Sequence, residues 1–149
     1  MIINNRRKEM SELDILMLQS QNVQGTGMYQ VALAFSIWVA FRVSNITGEK
    51  HNDNVIAKIA ATGFGLSTLF FFNMTYAFWS WNMTSTGYRL FELQKSGTEI
   101  SAIAQSFVEN IGATSTVPEF SMIPSDPIAL VLTVSIFVMI MFPIWGPKK

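Results

Sequence analysis

Three runs of the chain stay apolar for about as long as a helix needs to cross a bilayer, whose ~30 Å core takes about 20 residues. The first extends from about Gly25 to Ser44, with Gln30 and Ser36 as its polar interruptions before Arg42. The second covers about Val55 to Trp81 and carries Lys58 near its start, and the third, Ile128 to Trp145, contains no ionisable residue. None alternates apolar and polar positions as a barrel strand would, so all three predict helices. Arg42 and Lys58 fall near span ends, from which long stems can carry a charge to the headgroups. The polar stretch they flank, residues 44–54, reads as a wet loop. Trp79, Trp81, Tyr88 and Trp145 gather where the second and third spans leave the hydrocarbon, as in the aromatic belt of an interface.

Two shorter patterns complete the list of elements. Ser11 and Asp14 have capping-box-like spacing ahead of Leu13 and Ile15–Leu18, which predicts a short interfacial helix over residues 11–19, too short to span. Residues 88–95 extend the second helix until Gly97 breaks it. Ser96 and Glu99 then offer a second capping box. Ile100, Ile103, Ala104, Phe107, Val108 and Ile111 follow at i, i+3, i+4, i+7, i+8 and i+11, with Glu99, Ser101, Gln105, Ser106, Glu109 and Asn110 opposite and Gly112 as a stop. This predicts an amphipathic helix over residues 97–111, followed by a proline-punctuated loop over 113–127, within an extramembrane connection of residues 82–127. The expected fold is an all-α integral membrane protein, a single polytopic domain over residues 1–149. It has three transmembrane helices, a short N-terminal interfacial helix and an amphipathic extramembrane helix between spans two and three. Residues 1–10 have no apolar h-region or small-residue cleavage site, so no cleavable signal peptide is expected. Arg42, Lys50, Lys58, Lys148 and Lys149 fall on one side and Arg6, Arg7, Lys8, Arg89 and Lys95 on the other. Closeness to the spans favours the first set as cytoplasmic, with the N-terminus out and the C-terminus in.

Composition then narrows the function. Among 149 residues, charged types make up 13 % and hydrophobic types 50 %. The charged share is about half the ~25 % of a soluble domain. Mean hydropathy is +0.32, too high for one water-soluble core of this size. Ten Lys+Arg against ten Asp+Glu, with no basic block, exclude nucleic acid as a partner, because its binding rests on neutralising phosphates. Without a single Cys there is no thiolate zinc site, iron–sulfur cluster or disulfide framework.

Candidate chemistry is sparse. No ionisable residue falls in the middle of a span as these are drawn. That argues against proton relays, Schiff-base lysines, carboxylate-lined ion paths and bis-histidine haem within this chain. His51, the single histidine, lies between Glu49 and Asp53 in a run that could offer nitrogen and oxygen to a metal. A flexible loop supplies no preformed geometry, so the solvated-loop reading is preferred. Gly63–Gly65 lies inside a span and cannot cradle a nucleotide, and no Ser or Thr sits in a nucleophile motif with His51. Sequons at Asn45, Asn73 and Asn82 require a lumenal face to matter. No catalytic residue, cofactor or metal is therefore expected, and no stretch resembles a known family at motif level.

What the sequence offers instead is surfaces. Ala57, Ala61 and Gly65 have small-xxx-small spacing, which lets helix backbones approach, and Asn73, further along and near mid-depth, needs a hydrogen-bond partner in hydrocarbon. This face either packs on the chain's own spans or docks a partner subunit. The apolar face of Ile100, Ile103, Phe107 and Ile111 could lie on the membrane, pack back on this chain or dock a partner. Glu99 and Glu109 opposite, with no base, argue against anionic lipid. The function expected is a non-catalytic accessory or scaffold subunit of a larger membrane complex, for example a respiratory or membrane-oxygenase assembly. Its partners would be the lipid bilayer and other membrane-protein subunits. The alternative is a self-assembling, holin-like permeabilising protein, for which Thr133 and Ser135 give only a thin polar stripe in the third span.

Overall fold

A computed structural model describes residues 10–124 and 126–147. They form four helices, α1 (Glu12–Lys50), α2 (Val55–Lys95), α3 (Ala102–Ile111) and α4 (Pro127–Trp145). No strand occurs among the described residues. Helices α1, α2 and α4 are each long and apolar enough to cross a membrane.

The expected boundaries shift in three places. The separate interfacial helix over 11–19 and the first span are one helix of 39 residues. Residues 20–24 are polar except for Val23 but contain no proline. Gly25 and Gly27 each cost only about 1 kcal/mol relative to Ala, too little to stop a helix packed at both ends. The cap was legible: Asp14 Oδ2 accepts from the Ser11 backbone N–H at 3.1 Å, and the Asp14 N–H donates to Ser11 Oγ at 3.2 Å. Next, the wet loop of residues 44–54 shrinks to 51–54, because α1 continues to Lys50 with Ser44 and Thr47 buried. Asn54 caps α2, its Oδ1 accepting from the Ala57 N–H at 3.0 Å. Finally, the capping box at Ser96 and Glu99 does not form. Gly97, at φ +91°, closes α2 with the Thr98 N–H on the Leu93 carbonyl, and Ser96 Oγ donates to that same carbonyl. Helix α3 starts five residues later, with Ser101 Oγ accepting from the Ala104 N–H. It stops at Gly112 (φ +65°), as the periodicity predicts.

The chain divides into two compact units. One holds residues 10–25 of the described chain with Trp79–Phe120. Its core is Ile15 from α1, Leu90 and Leu93 from α2, and Ala104 and Val108 from α3, with Leu16, Phe91, Ile100, Phe107 and Ala113 packed around them. The Glu12 carboxylate ties α1 to α3, accepting from the Ser101 N–H at 2.8 Å and from its hydroxyl at 2.6 Å. Asn22 donates to Asn82 at 3.1 Å, and the Trp81 indole N–H to the Pro118 carbonyl at 3.3 Å.

The other unit, Thr26–Phe78 with Ser121–Lys149, is a three-helix bundle. Ala40, Ile136 and Ile140 centre its core, with Ile37, Phe41, Leu69, Phe72 and Met141 against them. Buried residues on α4 fall at Ile136, Ile140 and Ile144, a single stripe at steps of four. Ser44 Oγ donates to the Ile140 carbonyl, which sets the register of α1 against α4. At one end of this bundle Lys58 Nζ lies 5.2 Å over the Trp145 ring, whose N–H donates to Thr62 Oγ1 at 2.9 Å. At the other, Tyr76 reaches Asp126 at 3.5 Å. Aromatic and charged groups therefore sit at the ends of α4, as an interface belt requires.

Candidate functional site

The small-residue face of α2 is spent largely inside its own bundle. A Cβ added at Gly65 would lie 2.5 Å from Ile140 Cγ2, so glycine is what allows α2 and α4 to close here. Ala61, one turn earlier, is buried, and Ala57 is half-buried. Gly63, on another side of the helix, has nothing within 4 Å of where a Cβ would stand. Asn73 finds its partner in the connection leading to α4, with Nδ2 donating to the Met122 carbonyl at 2.6 Å. The partner it needs is thus a loop carbonyl of its own chain, because the loop before α4 turns back alongside α2.

The four apolar residues singled out on the amphipathic segment do not share one environment. Ile100 and Phe107 pack against the cluster formed by Ile15, Leu90 and Val108. Ile103 is 81 % exposed and Ile111 36 %. The inward stripe is completed by Ala104, fully buried, and Val108. Gly87 on α2 lets this region close, since a Cβ there would meet Ile111 Cγ2 at 3.2 Å and the Ala113 Cβ at 3.3 Å.

Glu49, His51 and Asp53 are all exposed, and no three His, Asp or Glu side chains among the described residues come together as a metal-holding group. Two shallow open grooves lie in the α3-containing unit. The larger, about 310 Å³, is bordered by Tyr88, Arg89, Glu92 and Ser96, and the smaller, about 170 Å³, by Thr84, Thr114 and Thr116. Glu92 pairs with Lys95 at 3.8 Å on an open surface, a contact worth at most ~1 kcal/mol. Outside the three-helix unit, the acidity of Glu12 is displaced. The Ser101 hydroxyl first, and its backbone N–H second, hold the Glu12 carboxyl below the ordinary Glu value.

Several hydroxyls along the long helices bond to carbonyls of their own helix. Thr133 donates to Ala129, Ser135 to Val131, Ser36 to Ala32 and Thr75 to Phe71. Such groups are satisfied without water or a partner helix.

One residue stands elsewhere than its sequence context suggests. Hydropathy puts Arg42 at the end of a span. The register puts it between Ala40, which packs on Ile136 and Ile140, and Ser44, which bonds Ile140. Ile136 is the midpoint of Pro127–Trp145, so Arg42 is level with the central part of α4. The signal missed was the length of α1, which runs six residues past Ser44 to Lys50.

Comparison with known proteins finds no match: no family model fits the chain, and neither a curated protein nor a solved structure resembles it.

Proposed function

We propose that this chain is a non-catalytic accessory subunit of a multi-subunit membrane complex, of the kind embedded in respiratory or membrane-oxygenase assemblies. The three-helix unit lies in the bilayer. Helix α4 has 19 residues, about 28 Å at 1.5 Å per residue, one crossing of a ~30 Å core with nothing to spare. Helices α1 and α2, of 39 and 41 residues, reach about 60 Å, twice that thickness. Half of each therefore lies outside hydrocarbon, where residues 19–24 and 89–95 carry Gln, Asn, Arg, Glu and Lys.

One observation carries the reading. Each helix of the three-helix unit spends a single narrow stripe on its neighbours and leaves large apolar side chains uncovered, among them Val31, Phe35, Trp38, Phe70, Phe71, Val138 and Phe142. With Thr133 and Ser135, the hydroxyls of α4, bonded within their own helix, packing is what this surface can do. In the other unit Ile103 and Ile111 are, with Leu13, Met17 and Val117, among the apolar positions left exposed for a protein partner. Lys50 and Lys58 flank the tight turn between α1 and α2. By the positive-inside rule this closeness favours that turn as cytoplasmic, with the N-terminus out and the C-terminus in.

Extraction of the source membranes in mild detergent, with native-gel separation and mass spectrometry of the band, tests the proposal. Co-migration with other proteins at fixed stoichiometry is expected. A band of this chain alone, at multiples of 16.7 kDa, would sink it and favour a self-assembling pore.

A further inference from the structure

Helix α1 presents an uncovered seam. Val31, Phe35, Trp38, Arg42, Asn45 and Glu49 recur at alternating steps of four and three, the spacing of a helix-pairing stripe. All six are exposed, with Val31 at 74 %, Phe35 at 65 % and Trp38 at 60 %. The opposite face of α1, with Ile37, Ala40, Phe41 and Ser44, is the one used by the bundle.

Arg42 makes this seam more than a lipid-facing surface. It stands level with Ile136–Ile140, hence within about 6 Å of the middle of α4 at 1.5 Å per residue. Among the described residues no carboxylate pairs with it, and Asn45, one turn on, makes no side-chain hydrogen bond. Helix side chains lean towards their own N-terminus. Arg42 therefore leans away from the nearer bilayer edge at Lys50 and towards the centre, which works against reaching headgroup phosphates. A second copy fits no better. Two-fold pairing about the membrane normal would set Arg42 against Arg42 at one depth.

We infer that the Val31–Glu49 seam of α1 docks a transmembrane helix of a different subunit, one that presents an Asp or Glu to Arg42 at mid-membrane depth. The planar guanidinium takes a carboxylate through two parallel hydrogen bonds, the strongest pairing hydrocarbon allows it. Trp38 and Phe35, stacked at 5.7 Å between ring centroids, form a rigid apolar step on the bilayer-centre side of the pair. Asn45 adds an amide on the other side. This inference rests on the accessory-subunit reading and supplies the face through which that subunit is held.

The test uses the full chain in its source membranes, with a photoreactive phenylalanine analogue in place of Trp38 or of Asn45, and native gels of Arg42→Leu and Arg42→Lys. Leu inserts into lipid more readily than Arg, so Arg42→Leu keeps the fold. Expected are crosslinks from both positions to one span of another protein that carries a carboxylate at that depth. Arg42→Leu should reduce co-migration at least tenfold, Arg42→Lys less. Replacing the partner's carboxylate by its amide should reproduce the Arg42→Leu loss. Crosslinks to phospholipid alone, to a second copy of this chain, or to a span without an acid would overturn the inference. So would unchanged co-migration of Arg42→Leu. In that last case the wild-type chain still runs in a complex, so the accessory-subunit reading survives; if the wild-type chain runs alone, both fall.

Discussion

Gly65 shows how much a single missing side chain does in a bundle where packing, and not water, decides association. The close approach of α2 to Ile140 of α4 leaves no room for a methyl group. Gly65→Ala is expected to cost about 1–3 kcal/mol, the range for overpacking a well-filled core. Gly63→Ala, in open space, should be neutral or slightly stabilising. Thermal unfolding of both variants in detergent checks the contrast, and equal effects would show that α2 and α4 do not meet at Gly65. Glu12 supplies a pH dependence. Its folded-state pKa is depressed by the two Ser101 hydrogen bonds. The stabilisation is therefore present above the unfolded value and is lost as pH falls through the lower, folded one. Amide exchange of α3 should accelerate in that acid window, and Glu12→Gln should flatten the dependence. The small-residue file containing Gly65 was legible from its spacing. Arg42 reads as a span end because hydropathy averages over a window, whereas its level along α4 is set by which residue of α4 each residue of α1 touches. With the three-helix unit in the bilayer as proposed, a charge at that level would cost ~2.5–3.5 kcal/mol on insertion scales.

At the level of elements, helix existence followed from apolar periodicity and helix ends from caps, and the two differ in how far sequence exposes them. Asn54, Gly97, Gly112 and Asp126 end or begin helices through side-chain or backbone bonds that local sequence encodes. The start of α3 was not readable in this way, because Ser96 and Ser101 both precede an apolar run. What decides is Glu12, eighty-nine residues away from Ser101, which accepts both of its donors. Ser101→Ala removes the cap and one of these bonds. It should destabilise α3 by about 1 kcal/mol or somewhat more, seen as faster exchange at the Ala104 and Gln105 amides. If α3 exchange is unchanged, Ser101 is not its cap. The amphipathic face likewise resolved only in three dimensions. Phe107→Asp should unfold the α3-containing unit, since Phe107 packs on its core. Ile103→Asp, at an exposed site, should leave that unit folded and weaken only a complex that uses this face.

For the molecule as a whole, a low charge content and three apolar runs were enough to give an all-helical chain able to cross a membrane three times. They were not enough to show that its residues sort into two units of different polarity, because that division cuts across α1 and α2, whose apolar runs carry no internal stop. The central physical claim is that hydrocarbon, not water, surrounds the three-helix unit. The absence of native cysteine makes this directly measurable with single-cysteine variants in intact membranes. Val134→Cys and Val138→Cys on α4, and Ile103→Cys and Glu109→Cys on α3, would each be challenged with a water-soluble and a lipid-soluble maleimide. The α4 positions should react only with the lipid-soluble reagent, while the α3 positions react readily with the water-soluble one. Rapid water-soluble labelling at Val134 and Val138 would contradict that claim, placing that face of α4 on an aqueous lumen.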